Sequence, residues 1–123
     1  VNGNVRTVVY RGPPPRPFPG QGFLSGTVTY RERMALPRGA TVEVSIIDAS
    51  RADARARTVA VTRFSTRGQQ VPIAYSLRYR GFSPDWQVRA TIKDRGRLIF
   101  TTDTVQRIPP GGKLDLWLVR AGG

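Results

Sequence analysis

Short segments in which apolar and polar residues alternate with a period of two dominate the chain from residue 23 onward. In the clearest of them, every second residue from Val71 to Tyr79 is apolar. Such a pattern indicates a β-strand with one buried face, and no stretch shows the period of about 3.6 that indicates a helix. The predicted strands are Phe23–Glu32, Thr41–Ile47, Thr58–Phe64, Val71–Tyr79, Trp86–Lys93, Leu98–Thr104 and Leu114–Val119.

Turn residues separate these strands, among them Pro37-Arg38-Gly39, Asp94-Arg95-Gly96 and Pro109-Pro110-Gly111-Gly112. Glycine supplies the positive φ that hairpin turns need, and proline fixes φ at turn positions. Many short strands at regular spacing favour a sandwich or barrel. Because many strands have one apolar and one polar face, we predict an all-β fold, an antiparallel two-sheet β-sandwich of about seven to eight strands.

The first 22 residues differ from the rest in composition. Val5 to Tyr10 is β-like, but residues 12–22 contain five prolines, which lack the N–H that a sheet ladder requires. Such a run is typical of a semi-rigid spacer. We predict an N-terminal segment with a Pro-rich linker over residues 1–22, a sandwich domain over residues 23–119, and a C-terminal tail over residues 120–123.

The charge of the chain is strongly positive. Twenty basic residues, eighteen of them arginine, face eight acidic ones, for a formal net charge of +12 at pH 7. One interpretation is an anionic partner, such as nucleic acid, lipopolysaccharide, an acidic glycan or an acidic protein surface. The other is a compositional preference for arginine, with the charges solvating the surface. Both interpretations stay open on the sequence alone.

The residue types present limit the chemistry of the chain. It contains no histidine and no cysteine, which excludes Ser-His-Asp and Cys-His nucleophiles and the common zinc ligands. Asp48 and Asp53 are the one pair of acidic residues close in sequence, and their spacing lacks the ligand density of a calcium loop. No Gly-rich phosphate loop opens a helix. We therefore predict no catalytic residues, no metal site, no cofactor and no enzymatic activity.

Exposed side chains are the remaining candidates for function. Trp117 lies on the opposite face of its predicted strand from Leu116 and Leu118, and Phe82 lies in a predicted loop. No nucleic-acid-binding motif is present, so nucleic acid is an unlikely partner in spite of the charge. No stretch reaches the roughly 20 apolar residues of a transmembrane helix. The predicted partner-binding residues are Arg78, Arg80, Phe82, Arg89, Arg95, Arg97 and Trp117.

Five segments between residues 23 and 119 form a distinctive set when taken in order. They are Ser25–Ala40, Val42–Val44 running on to Asp48–Ala54, Gln70–Ile73 with Tyr75, Val88–Asp94, and Gly96–Thr104. As a set they resemble the YbaY/YscW family of lipoproteins, named for a type III secretion lipoprotein chaperone. The resemblance supplies no catalytic residues. It implies a β-sandwich lipoprotein of the Gram-negative envelope that faces the periplasm and is anchored to the outer membrane.

The same resemblance implies a function. YscW-type members are pilotins, which bind a secretin subunit and help it reach the outer membrane. The expected role is therefore a non-enzymatic chaperone or assembly factor that binds another envelope protein, secretin-like or other. The binding site would be an exposed strand edge or a groove between the sheets. The alternative is a basic domain that docks on an anionic envelope glycan or on lipid head groups. The Pro-rich segment suits a tether between a lipid anchor and the domain.

Overall fold

Seven β-strands make up the regular structure of the described residues, within the predicted seven to eight. A computed structural model describes residues 21–49 and 56–121. The Val5–Tyr10 run, residues 12–20 of the Pro-rich segment and Asp53 lie outside the described residues. The strands are β1 (Gln21–Tyr30), β2 (Ala40–Asp48), β3 (Arg57–Ser65), β4 (Ile73–Arg80), β5 (Trp86–Asp94), β6 (Arg97–Thr101) and β7 (Leu116–Arg120).

All seven strands belong to one sheet, in the order β3-β2-β5-β6-β7-β1-β4. The predicted pair of separate sheets is therefore corrected to a single sheet. It curls so far that the two end strands, β3 and β4, come within 8 Å of each other between Cα atoms. The result is a nearly closed barrel. Alternation reports which residues face the interior, but it carries no information on which strands are neighbours, and this is why the sheet count was wrong.

The strand directions also depart from the prediction at one place. Most neighbours are antiparallel, but β1 and β7 run parallel, with Val28 opposite Leu116 and Tyr30 opposite Leu118. β7 also pairs antiparallel with β6, and it thereby joins the two halves of the sheet. A parallel pair requires a long connection between its strands. Here that connection is everything from β2 to β6.

The core lies inside the barrel and follows the predicted alternation closely. Ile73, Tyr75 and Leu77 of β4 are buried, while the residues between them are exposed. The largest fully buried side chain of the described residues is Phe100, whose ring stacks on that of Tyr30 at 4.0 Å between centroids and 7° between planes. The Tyr30 hydroxyl donates a hydrogen bond to the Met34 carbonyl oxygen at 2.7 Å. This bond ties the loop after β1 to the core.

The predicted hairpin between β5 and β6 is confirmed. Asp94 pairs with Arg97, and the two residues between them, Arg95 and Gly96, have φ values of 53° and 85°. Two successive positive φ values define the type I′ turn, whose twist matches that of the flanking strands. The hairpin follows the last residue of β5 and places Arg95 and Arg97 at one end of the barrel. Trp86 is the first residue of β5 and therefore lies near the opposite end of the barrel.

Two β-bulges interrupt the regular alternation. Ile46 pairs with Ala60 but Ile47 pairs with Thr58, which leaves Val59 of β3 without an opposite residue. In the same way, Ile99 of β6 is the additional residue between two pairs of the β5–β6 ladder. A bulge bends the strand and changes which side chains face inward. In β3 it leaves two consecutive residues, Val59 and Ala60, partly buried against the core.

Candidate functional site: the seam between the edge strands

The two end strands of the sheet form a seam, defined here as the gap between β3 and β4. β3 pairs with β2 and β4 pairs with β1, and within residues 21–49 and 56–121 no ladder joins β3 to β4. Paired strands lie about 4.8 Å apart. The seam therefore has two strand edges whose outward-pointing backbone N–H and C=O groups are not used by the sheet.

One cleft opens where β3 begins and β4 ends. Its volume is about 460 Å³. Tyr79 and Trp86 contact each other there edge to face, at 6.2 Å between ring centroids and 79° between planes. We call it the arginine cleft, since three of its six lining residues are arginines. The lining residues are Arg57, Val59, Arg78, Tyr79, Arg80 and Trp86.

The charges around the arginine cleft are only partly neutralised. A guanidinium nitrogen of Arg57 lies 3.6 Å from a carboxylate oxygen of Asp48, its cross-strand neighbour. Among the described residues, the other ion pair joins Arg63 to Glu43, so neither Arg78 nor Arg80 has a carboxylate partner there. Both arginines are exposed. This end of the seam is therefore basic.

A second cleft opens at the other end of the seam, with a volume of about 320 Å³. We call it the neutral cleft, because no charged side chain lines it. Its walls combine small or hydroxyl-bearing side chains with two aromatic rings: Tyr75 belongs to the buried core, and Phe64 packs against that core. The lining residues are Thr62, Phe64, Ala74, Tyr75 and Ser76. The seam thus has a basic end and a neutral, partly apolar end.

Comparisons with known proteins agree on a family. Residues 20–118 match the family described as type III secretion system lipoprotein chaperone (YscW). The chain belongs to the YscW family. The resemblance inferred from the sequence is confirmed.

Two relatives extend this result. The chain is 37% identical over 105 residues to the uncharacterized lipoprotein YbaY of Escherichia coli strain K12, covering 80% of this chain and 55% of that protein. It thus spans little more than half the length of this relative. A solved structure of an alternative pilotin from the type II secretion system of Vibrio cholerae matches with a TM-score of 0.75 and 35% identity. That match covers 84% of this chain and 99% of the pilotin chain.

The structure brings together only some of the predicted partner-binding residues. Arg78 and Arg80 line the arginine cleft, and Phe82 follows them in the next loop. Arg89 lies in β5, with its exposed side chain on the outer face of the sheet. Arg95 and Arg97 lie at the β5–β6 hairpin. The seven residues therefore do not form one surface, and their role in binding stays a prediction.

Trp117 is exposed, as its position opposite two buried leucines predicts. The side chain is 54% exposed, and the Arg31 guanidinium carbon lies 5.2 Å from the centre of its ring. A cation over an indole face is a favourable contact. Trp117 lies opposite Thr29 near the end of β1, whereas the arginine cleft lies near the beginning of β1. It belongs to a separate surface.

Sequence reasoning missed the β3 half of the seam, namely Arg57, Val59, Thr62 and Phe64. The two strands follow each other in the chain, and a hairpin between them is the ordinary expectation. No local pattern signals that they lie at opposite ends of one sheet. The bulge that directs Val59 toward the arginine cleft leaves no signature in the alternation either.

The described part of the chain contains no group of three or more His, Cys, Asp or Glu side chains that could hold a metal ion. No helix in this part of the chain is long and apolar enough to cross a membrane.

Tyr75, which lines the neutral cleft, donates its hydroxyl hydrogen to the Leu114 carbonyl oxygen at 2.6 Å. Burial, together with the charge of Asp115, raises the pKa of Tyr75 to about 12.

The Tyr75 hydroxyl predicts a loss of stability in strong base. The pKa of this group is about 12 in the folded state, above the ordinary value of 10.0. The stabilisation of the folded state by the neutral hydroxyl is therefore fully present below pH 10. It is lost as the pH rises toward 12, because the unfolded chain gives up this proton first. The expected loss from this group is roughly 2–3 kcal/mol of unfolding free energy. Urea unfolding of the Tyr75→Phe variant should show a smaller decrease over the same range. Equal decreases of the unfolding free energy in the two proteins would show that the Tyr75 hydroxyl is not the group responsible.

Proposed function

We propose that this domain is a non-enzymatic, periplasm-facing chaperone of the Gram-negative envelope that binds a segment of a secretin-type subunit at the β3–β4 seam. The observation that carries the proposal is the pair of unpaired strand edges with a cleft at either end. The family description and the pilotin named above support a protein-binding role in secretion. Neither the family description nor the pilotin identifies the bound segment or its binding site. We place the site at the seam because the strand edges there are unpaired.

The seam favours an extended segment as the ligand. Exposed strand edges are templates for pairing with another chain, because a bound strand satisfies their free N–H and C=O groups. A strand held between two edges requires them to lie about 9.6 Å apart, twice the usual spacing. β3 and β4 come within 8 Å of each other. We therefore expect the segment to pair along one edge and to place alternate side chains in the clefts.

A substitution that fills the neutral cleft tests the site. Ala74 is exposed and lines this cleft, so Ala74→Trp should occupy the space that a partner side chain takes. Fluorescence anisotropy with peptides that tile a secretin subunit should find one segment that binds the unmodified chain. The variant should bind that segment at least about tenfold more weakly. Salt should affect this binding little, because backbone hydrogen bonds and apolar contacts dominate it.

Leu98→Trp provides the matched control. Leu98 is exposed on β6, three strands away from either end of the sheet, and its replacement also adds an indole without changing the charge. This variant should bind the peptide as the unmodified chain does. If no segment binds, or if both variants lose binding alike, the seam is not the binding site. Complete release at moderate salt would instead point to the arginine side chains.

A further inference from the structure

We propose that one end of the barrel lies against an anionic phospholipid surface. The contact surface, called the basal face here, consists of Phe23, Arg78, Arg80 and Phe82. Phe23 of β1 lies directly opposite Arg78 of β4 in the antiparallel ladder. Arg80 is the last residue of β4, and Phe82 follows two residues later. Neither the family assignment nor binding at the seam requires such a surface.

The two phenylalanines of the basal face are exposed to solvent. Phe82 is 65% exposed and Phe23 is 49% exposed, and neither belongs to the core of the described domain. Among the described residues, Phe82 is the most exposed of the large hydrophobic side chains. Scattered single apolar side chains are ordinary on a surface. Two phenylalanines near two arginines instead suit an interfacial contact, in which apolar side chains enter the boundary between head groups and acyl chains while the cations stay at the anionic head groups.

Phe82 is presented by a loop that hydrogen bonds hold to the barrel. The Trp86 N–H donates to the Ser83 carbonyl oxygen at 3.1 Å, and the Asp85 N–H donates to the Ser83 hydroxyl oxygen at 3.2 Å. From outside the loop, Arg107 Nη1 donates to the Pro84 carbonyl oxygen at 3.0 Å. A loop fixed in this way directs an apolar side chain outward with little further loss of conformational freedom on binding.

The charges favour an anionic surface over a neutral one. Arg78 and Arg80 have no carboxylate partner within the described ranges. Asp85 is the acidic residue of the adjoining loop, and Arg107 donates a hydrogen bond to the carbonyl oxygen of the preceding residue, Pro84. Each arginine near an anionic bilayer strengthens binding by about fivefold. The two together should strengthen it by about 25-fold when their effects are independent.

The position at which β1 begins supports a membrane contact at this end of the barrel. Gln21, the first residue of β1, pairs with Arg80, so the polypeptide enters the domain at the basal face. In a lipoprotein the lipid precedes the folded domain, and the tether therefore arrives at this end. A protein surface that is linked to the bilayer by a short tether has a high effective concentration there, so even a weak affinity for lipid is enough for the surface to be bound most of the time. The Trp117–Arg31 pair lies toward the other end of β1 and lacks this advantage.

Vesicle sedimentation with the full chain tests the proposal without any protein partner, and its outcome is therefore independent of peptide binding at the seam. Vesicles of phosphatidylethanolamine and phosphatidylglycerol should bind the chain, and vesicles of phosphatidylcholine should not. R78Q/R80Q should bind the anionic vesicles about 25-fold more weakly. The matched control R95Q/R97Q removes the same charge at the hairpin near the opposite end of the barrel, and it should change binding by less than about threefold.

A second readout tests the orientation. Phe82→Trp should shift its fluorescence to shorter wavelength when anionic vesicles are added, because the indole leaves water. Leu98→Trp should show no such shift, and Phe82→Ser should weaken vesicle binding without affecting thermal unfolding. Equal binding to phosphatidylcholine, equal losses in the two double variants, or a blue shift at position 98 as large as at position 82 would each overturn the proposal.

Discussion

Phe100→Ala should lower the unfolding free energy by about 4 kcal/mol, among the largest effects expected of any single truncation in this domain. The Phe100 ring is fully buried and stacks on Tyr30 at 4.0 Å. Its removal loses the transfer free energy of the ring and leaves a cavity that a barrel interior closes only in part. Because Tyr30 also holds the Met34 carbonyl, the loop after β1 should exchange its amide hydrogens faster.

Phe82→Ala is the comparison that makes this test specific. The same atoms are removed, but Phe82 is 65% exposed, so the unfolding free energy should change by less than about 0.5 kcal/mol. Urea denaturation followed by circular dichroism measures both variants. Similar losses for the two would contradict the division between the core and the basal face.

The contrast between these phenylalanines shows how far the sequence could predict the core. Alternation identified the inward faces of β2, β4 and β5, where the ladder is regular. In β6 it fails, because Leu98 and Phe100 are two positions apart and a regular strand would place them on one face. Leu98 is instead opposite Lys93 and exposed, while Phe100 is opposite Ile92 and buried. The bulge at Ile99 separates them, and only the pairing reveals it.

The candidate site was predictable to a smaller extent. Arg78 was singled out from an outward position in a well-defined strand, and Arg80 and Phe82 from the residues that follow its predicted end, since local patterns determine those assignments. Their grouping with the distant Arg95 and Arg97 was based on charge alone. Arg57 lines the same cleft as Arg78 and Arg80, and Phe23 lies opposite Arg78. Both come from other strands, and the alternation of apolar and polar residues does not determine which strands are neighbours. Strand order therefore limited the prediction of the site as much as that of the fold.

Parallel pairing of β1 with β7 was the least predictable element, and it creates a close backbone contact at Gly26. A Cβ atom at this position would overlap the Leu114 carbonyl oxygen and lie 2.6 Å from the Leu114 carbonyl carbon. Asp115, the next residue, accepts hydrogen bonds from the Thr27 N–H at 3.0 Å and from the Thr27 hydroxyl at 3.1 Å. The alternation of the strands does not indicate which segment approaches Gly26.

Gly26→Ala should consequently destabilise the protein by about 3 kcal/mol, measured as unfolding free energy in urea. The obstacle is backbone, which cannot rotate away as a side chain does, so either the Leu114 backbone or β1 itself must move. Gly96→Ala is the control, because a Cβ there meets nothing within 4 Å. Its φ of 85° makes alanine unfavourable, and the expected loss is limited to about 1 kcal/mol of backbone strain. Equal losses at the two positions would contradict a steric origin at Gly26.

A double-mutant cycle of Gly26→Ala and Tyr75→Phe tests whether the Leu114 backbone is the part that moves. The Leu114 carbonyl oxygen that blocks the Gly26 Cβ also accepts the hydrogen bond of the Tyr75 hydroxyl at 2.6 Å. If Gly26→Ala moves Leu114, the Tyr75 bond is already weakened, and adding Tyr75→Phe should cost less than it does in the unmodified chain. We expect a coupling of about 1 kcal/mol, the net value of one such hydrogen bond. Strict additivity would mean that the strain is relieved elsewhere, by movement of β1 away from the 112–116 segment.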